Sequence, residues 1–191
     1  MSLALIVLGR QPSPGRCKRR LAASIGDESA ARVQQRLLAH TVAVARQWQQ
    51  SETDAMVSLC LGHQQGPGGL GLRMQRQLGR AVRAGANAVV LVGSDLPGLS
   101  VQHIKQAFSA LHRAPMVLGP ACDGGYWLVG LTAAGHQQQR GRLFSGISWG
   151  GSEVLQQTLQ QVAALGWSPQ LLCYQSDLDR IDDMAPWHGA A

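Results

Sequence analysis

The chain has 191 residues, of which 45% are hydrophobic and 15% charged, and its formal net charge is +6. These values favour one globular domain over residues 1–191 and exclude a disordered chain. No apolar run approaches the roughly 20 residues of a membrane span, and the four cysteines are too scattered to suggest a disulfide framework or a zinc site.

The hydrophobic pattern predicts strands that alternate with helices along the chain. The apolar N-terminal run lacks the features of a signal peptide, so we interpret it as a first strand and expect a cytoplasmic protein. The strands are predicted at 4–8, 55–61, 88–92, 116–118, 126–131 and 169–173, and the helices at 27–49, 70–83, 100–112 and 152–165, where Ser100 and Ser152 are candidate N-caps. We expect the Gln- and Gly-rich segment 132–142 to be an exposed loop, and the remaining Gln-rich stretches to be solvated surface.

This alternation is typical of a three-layer α/β/α sandwich with a mainly parallel sheet. In such sheets ligands bind beyond the carboxyl ends of the strands. The segments that follow the first, third and fourth strands should therefore meet at one edge of the sheet. They contain the basic loop 10–20, Asp95 and the turn at Asp123.

The first of these segments, GRQPSPGRCKRR, concentrates positive charge in a loop that its prolines and glycines keep irregular. It matches neither a Walker A loop nor a dinucleotide fingerprint. Its basic side chains could neutralise a di- or triphosphate, and the alternative is a solvated basic loop. No basic stripe interleaved with aromatic residues occurs elsewhere, so a phosphorylated ligand is favoured over nucleic acid.

Acidic residues near the same edge offer candidate metal ligands. Asp95 directly follows a buried strand and could bind Mg²⁺ or Mn²⁺ together with substrate phosphates, or could form a local turn into Pro97–Gly98. Asp123 opens a D-G-G turn that could approach a ligand or simply join two strands. The acidic ending SDLDRIDD could supply a second carboxylate or be a solvated segment.

Other residue types give weaker signals. The histidines lie at positions 40, 63, 103, 112, 136 and 188, with no nucleophile at a suggestive spacing, so we predict no catalytic triad. Trp127 and Trp149 could stack on a base or a sugar, but core packing is the favoured interpretation.

Six segments, taken in order, resemble the DUF2064 family. They are the P-x-P-G-x-x-K-x-R-L loop, QGPGGLGLRM, GSDLPGLS, LGPACDGGYWLVGL, LFSGISWGGSEVLQQTL and DLDRIDDM. The resemblance implies a fold of the GT-A nucleotide-diphospho-sugar transferase superfamily and a glycosyltransferase activity; some members are labelled arsenosugar-biosynthesis glycosyltransferases. The family is also similar to the 2-phospho-L-lactate guanylyltransferases and to the molybdenum-cofactor nucleotidyltransferases.

The resemblance implies roles for particular residues. The nucleotide would contact Pro12, Gly15, Arg16, Lys18, Arg20, Gly71 and Arg73. The metal ion would be bound by Asp95, Asp177 and Asp179. The sugar or acceptor side would be lined by Asp123, Gly124, Gly125 and Tyr126. The sequence departs from the family pattern at Arg10, Arg19 and Gly69, where members usually have Lys, Thr and Asp.

We therefore expect a metal-dependent glycosyltransferase that takes a nucleoside diphosphate sugar, with Mg²⁺ or Mn²⁺ as cofactor and a small molecule as acceptor. Asp95 would be catalytic through the metal, and Asp123 could orient or deprotonate an acceptor hydroxyl. One alternative is nucleotidyl transfer from a nucleoside triphosphate to a phosphorylated acceptor, with release of pyrophosphate. Another is a catalytically degenerate binding module. A homodimer is compatible with the sequence, whereas a nucleic-acid partner is not expected.

Overall fold

The computed structural model describes residues 1–187, which form a central six-stranded sheet. Its strands are β1 (Leu3–Gly9), β2 (Ala55–Leu61), β3 (Ala88–Gly93), β4 (Met116–Pro120), β5 (Tyr126–Thr132) and β6 (Gln170–Leu171). They lie in the order β2-β1-β3-β5-β4-β6. β5 runs antiparallel to both of its neighbours, and all other pairs are parallel. The predicted mainly parallel sheet is therefore confirmed.

Six α-helices surround the sheet. They are α1 (Arg19–Ile25), α2 (Asp27–Gln50), α3 (Leu70–Arg83), α4 (Val101–Ala110), α5 (Ala133–Gln139) and α6 (Val154–Ala164). Short 3₁₀ helices follow β2 at Gly62–Gln65 and close the described chain at Asp182–Trp187. Among residues 1–187, no helix combines the length and hydrophobicity needed to cross a bilayer.

Alternating side chains of the strands build a core on each face of the sheet. On one face Leu5 and Val7 of β1 pack with α2 and α4, whose Trp48 and Phe108 rings stack with centroids 4.8 Å apart. On the other face Ile6 packs with apolar residues of α3 and α6. This arrangement confirms the three-layer α/β/α sandwich, because each face of the sheet is covered by its own pair of helices.

Two local predictions are wrong. Segment 132–142 contains the helix α5, which is capped by Thr132, whose Oγ1 accepts a hydrogen bond of 3.0 Å from the Gly135 amide. Gln139 at the end of α5 is fully buried, because its side chain bonds to Gln75 and to the Leu143 amide. The N-cap of α6 is Glu153 and not Ser152.

Two further predictions differ in extent, because the strand predicted at 169–173 covers only Gln170–Leu171 and the end of the predicted loop 10–20 begins helix α1 at Arg19. The predicted cap at Ser100 agrees with the structure. Ser100 caps α4, accepting a hydrogen bond of 3.4 Å from the His103 amide. All four cysteines are free. The polar loops that follow β1 and β3 converge at one edge of the sheet, where these two strands end.

Candidate functional site

A cleft opens at the carboxyl ends of β1 and β3 and the start of β5. Its inner part has a volume of about 320 Å³, and its outer part about 600 Å³. We call the inner part the acidic lobe, because Asp95 and Asp177 line it. We call the outer part the basic lobe; the two lobes share Gly9, Arg10, Gln65 and Arg73.

The acidic lobe brings together residues that are far apart in sequence. Asp95 follows β3, and its backbone carbonyl accepts a hydrogen bond of 3.0 Å from the Leu178 amide. This bond holds the C-terminal segment across the end of the sheet, so that Asp177 lines the same lobe as Asp95. The acidic ending predicted a second carboxylate near Asp95, and Asp177 lies there. That these two residues bind a metal ion remains a prediction.

Lys18 lies beneath this lobe and is almost completely buried. Its Nζ lies 2.9 Å from Asp95 Oδ1 and donates a hydrogen bond to the Leu178 carbonyl. Asp95 Oδ1 is itself buried, and no described residue gives it a hydrogen bond of good geometry. Lys18 thus contributes a positive charge to the floor of the acidic lobe, where it contacts Asp95.

The carboxyl group of Asp177 is perturbed by its surroundings. Burial raises its pKa to about 7, and the neighbouring charges of Asp95 and Asp123 act in the same direction, while Lys18 opposes them. A carboxyl that resists ionisation marks a place where negative charge is concentrated without full compensation. A cation placed between these carboxylates would relieve that repulsion.

The raised pKa of Asp177 predicts a pH-dependent effect of Asp177→Asn on stability. Between the ordinary value of 3.8 and the native value of about 7, the unfolded chain loses this proton while the folded chain keeps it. Protonation of Asp177 therefore contributes fully to the free energy of unfolding below pH 3.8, and this contribution is lost as the pH rises through about 7. Since Asn cannot ionise, the variant should gain melting temperature over the wild type at pH 8 but not near pH 4. A melting-temperature difference that is the same at both pH values would contradict this origin of the shift; Asp179→Asn is the control.

The basic lobe is lined by arginines from two segments. Arg10 and Arg16 come from the loop after β1, and Arg73 comes from the first turn of α3. The rest of the polar lining is Gln11, Ser13, His63 and Gln65. Three guanidinium groups around one cavity can bind the oxygen atoms of a diphosphate.

A buried polar network supports the ends of the strands beneath the cleft. Gln65 Nε2 donates to the carbonyl oxygens of Gly9 and Cys60, at 2.7 and 3.2 Å. On the other side of Gly9, Gln34 Nε2 donates to Ser94 Oγ at 3.1 Å. Sequence patterns did not single out these residues, because a buried glutamine resembles surface glutamine until its long-range partners are known.

Several other residues to which the resemblance assigns a role make contacts that stabilise the local structure. Arg20 forms an exposed ion pair of 2.9 Å with Asp179. Asp123 Oδ1 accepts a hydrogen bond of 2.9 Å from the Gly125 amide and so closes its own turn. Gly124 has φ +90°, and a Cβ there would lie 1.8 Å from the Ser152 carbonyl oxygen. Of the residues predicted to line the sugar or acceptor side, Tyr126 is the one that lines the acidic lobe.

The remaining residues that are predicted to contact the nucleotide lie in different parts of the structure. Pro12 and Gly15 belong to the loop that carries Arg16, and Gly15 turns it with φ +71°. Gly71 lies in the first turn of α3 and is buried. A Cβ at Gly71 would lie 2.8 Å from Trp149 Cζ2 and 2.9 Å from the Phe144 carbonyl oxygen. Gly71 therefore joins α3 closely to the loop before α6.

This close approach predicts that Gly71→Ala destabilises the fold. The backbone carbonyl of Phe144 cannot rotate away, so overpacking should cost about 1–3 kcal/mol. A chain of this size should then melt roughly 2–10 °C lower. Gly69→Ala is the matched control, because a Cβ at Gly69 meets nothing within 4 Å. Equal melting temperatures of the two variants, measured by circular dichroism, would contradict the contact.

Aromatic and histidine side chains contribute mainly to packing. Trp127 is buried in the core, and Trp149 packs edge-on against Tyr126 with centroids 6.3 Å apart. Burial raises the pKa of the Tyr126 phenol, which therefore stays protonated. His63 lines the basic lobe, and His188 lies outside the described residues.

The chemistry of the acidic lobe fits a divalent cation of the Mg²⁺ or Mn²⁺ kind. Asp95 and Asp177 supply carboxylate oxygens; Asp95 Oδ1 contacts Lys18, and the Asp95 side chain is 45% exposed, so its second oxygen is accessible to a ligand. Within residues 1–187 no three His, Cys, Asp or Glu side chains form a closed metal site. Two carboxylates at an open lobe match the way such ions are bound together with substrate phosphates.

The sheet order and its helix layers define an α/β protein with the fold of nucleotide-diphospho-sugar transferases. A family profile matches residues 25–151, more than half of the chain. The chain belongs to the DUF2064 family, which is described as an uncharacterized protein conserved in bacteria. No curated protein matches the sequence.

Solved structures share this fold. A proposed nucleotide-diphospho-sugar transferase from Desulfovibrio desulfuricans G20 is 25% identical and superposes with a TM-score of 0.85, over 96% of this chain and 85% of that one. The 4-diphosphocytidyl-2C-methyl-D-erythritol synthase of Anaerococcus prevotii DSM 20548 has a TM-score of 0.59 and 8% identity, over 96% and 95% of the two chains. A Mycobacterium tuberculosis H37Rv protein solved in complex with manganese has a TM-score of 0.52 and 14% identity, over the full length of both chains. The two more distant structures establish the fold alone.

Proposed function

We propose that this protein is a metal-dependent glycosyltransferase that uses a nucleoside diphosphate sugar. The observation that carries the proposal is the position of three arginines and two carboxylates in the two lobes of one cleft. A nucleotide sugar carries a diphosphate with a sugar attached, so it needs positive charge for the phosphates and a pocket beyond them. The basic lobe supplies the positive charge, and the adjoining acidic lobe supplies the pocket.

In this proposal the basic lobe holds the nucleotide. Arg10, Arg16 and Arg73 contact the diphosphate, and the exposed positions of Arg10 and Arg16 let them close on a ligand. The sugar occupies the acidic lobe against Tyr126. Lys18 does not contact the phosphates directly, because it is buried against Asp95 and the Leu178 carbonyl; instead it orients Asp95.

Asp95 and Asp177 would hold a divalent cation, and Asp179 would keep its exposed ion pair with Arg20 instead of serving as the third ligand that the resemblance implies. When bound, such an ion neutralises charge that develops on a departing diphosphate. The bond between the sugar and the diphosphate breaks, a bond forms from the sugar to an acceptor oxygen, and the acceptor proton passes to a base. Asp123 is the candidate base or orienting group, from its place on the turn between β4 and β5.

Two of the similar structures support the proposed function. The Desulfovibrio protein is itself proposed to be a nucleotide-diphospho-sugar transferase, and the mycobacterial protein binds manganese. Nucleotidyl transfer is the second candidate function, because a cytidyl-transferring enzyme of this fold class is among the similar proteins. The two reactions would use the same lobes but break different bonds. Glycosyl transfer breaks the bond between the anomeric carbon of the sugar and the diphosphate oxygen, whereas nucleotidyl transfer breaks the bond between the α-phosphorus and the oxygen of the departing pyrophosphate.

Product analysis distinguishes these reactions. The protein is incubated with Mn²⁺ and either a panel of nucleotide sugars or a panel of nucleoside triphosphates with sugar phosphates, and the products are separated by ion-exchange chromatography. Release of a nucleoside diphosphate from a nucleotide sugar supports the proposal. Release of pyrophosphate from a triphosphate, without nucleoside diphosphate from any sugar donor, overturns it in favour of nucleotidyl transfer. Ligand binding without turnover of either panel would indicate a binding module.

A further inference from the structure

The strand β2 forms one edge of the sheet, far from β5 and β6. Within residues 1–187 it has no strand partner other than β1. Side chains bond to the backbone at its two ends, where Gln49 Nε2 donates to the Ala55 carbonyl and the Leu61 amide donates to Gln64 Oε1. The middle of its outer edge has no strand to pair with among the described residues. Its sequence, AMVSLCL, contains no charged residue and no proline. Exposed edge strands are normally protected from pairing by charge, proline or a bulge. This edge has none of these protections, which indicates that it is paired in the working protein.

Apolar side chains are exposed on both faces of this edge. Met56 is 40% and Leu59 43% exposed, on opposite faces of β2. Beside Met56 a groove of about 480 Å³ runs between β2 and α3 and ends at Arg80. The strand therefore offers main-chain pairing together with side-chain contacts on each face.

We propose that β2 pairs antiparallel with β2 of a second copy of this chain, about a two-fold axis at Ser58. This register overlaps all seven residues of the strand, because Ser58 is its midpoint. It sets Met56 opposite Cys60 and Leu59 opposite Val57, so that each exposed apolar side chain meets an apolar partner. The two sheets would then form one continuous twelve-stranded sheet, since each copy has a six-stranded one.

The charges at the two ends of β2 favour the antiparallel arrangement with a second copy. Glu52 and Asp54 precede the strand, whereas His63 and Arg80 lie at its far end, where Arg80 donates to the Gln64 carbonyl. Antiparallel pairing about Ser58 brings residue 54 of one copy opposite residue 62 of the other. The acidic end of each strand therefore meets the basic end of its partner, twice in a symmetric dimer.

Sedimentation equilibrium of the full chain tests this interface. The wild type should be a dimer at micromolar concentration. Ser58 is exposed and lies on the axis, so Ser58→Lys sets two like charges face to face and should raise the dissociation constant about tenfold or more. Ser58→Glu should do the same, and an equal mixture of the two variants should restore the dimer. The restored dimer also shows that both variants are folded.

Leu171→Lys is the matched control, because Leu171 is 51% exposed on β6, at the opposite edge of the sheet. This variant should leave the dimer intact. A monomeric wild type overturns the proposal, as does a dimer that Leu171→Lys dissociates and Ser58→Lys does not. The measurement uses no nucleotide, so its outcome is independent of the function proposed for the cleft.

Discussion

Asp95→Asn is expected to lower the rate of sugar transfer by about 100-fold or more in a protein that stays folded but loses part of the stability that the contact with the buried Lys18 provides. Asp95 lines the acidic lobe with a side chain that is 45% exposed, while its Oδ1 contacts Lys18. A neutral amide cannot replace a carboxylate as a ligand for a hard cation. The loss should appear in the turnover number at saturating donor, because charge on the departing diphosphate develops in the transition state.

Asp179→Asn is the control for this experiment. Asp179 belongs to the same acidic segment, but its carboxylate is exposed and paired with Arg20. We expect its rate to stay within about threefold of the wild type, since exposed ion pairs contribute little. Near-normal turnover in Asp95→Asn, or a larger loss in Asp179→Asn, would contradict the assignment of Asp95. Far-ultraviolet circular dichroism of both variants checks the fold.

Lys18→Met is expected to lose more stability than removal of the other cation that connects this loop to the C-terminal segment, Arg20. Lys18 is 4% exposed and carries its charge between Asp95 and the Leu178 carbonyl. Removing one partner of a buried pair costs about 3–5 kcal/mol. Because Asp95 is 45% exposed and partly solvated, we expect a cost below that range, about 2–3 kcal/mol. Denaturant unfolding measures this difference directly.

Arg20→Met provides a matched comparison, because it removes the other cation that connects this loop to the C-terminal segment. Its ion pair with Asp179 has the same 2.9 Å separation, but both side chains are exposed. The expected cost is below about 1 kcal/mol. Equal losses of unfolding free energy in the two variants would show that burial does not strengthen the Lys18 contact. A double mutant with Asp95→Asn would then measure the coupling between Lys18 and Asp95.

The sheet and the main helices could be predicted from the sequence because their hydrophobic period is strong. Leu5 and Val7 alternate with Ile6 in β1, and α2 repeats its apolar residues every three or four positions. The helix α5 was not predicted, since its seven residues include three consecutive glutamines and one glycine. What stabilises it is the Thr132 cap and the long-range bonds of Gln139, and neither has a periodic signature.

The location of the site could be predicted, but its internal contacts could not. The carboxyl ends of parallel strands bring the basic loop and Asp95 together, as expected from sheet topology. The partner of Lys18 depends on its left-handed backbone, with φ 46°, and on a carbonyl 160 positions away. Gly71 likewise packs against Trp149 through a loop whose course the sequence does not indicate. Long-range contacts of this kind require the folded chain.

Calorimetric titration with a nucleoside diphosphate, with and without Mn²⁺, tests most directly whether the cleft is a metal-dependent nucleotide site. We expect the wild type to bind the nucleotide more tightly with Mn²⁺, by about tenfold or more, since the cation and the arginines share the diphosphate. Asp95→Asn should lose this enhancement but keep the weaker metal-free binding. Equal affinities with and without Mn²⁺, or an enhancement that survives in Asp95→Asn, would contradict the account.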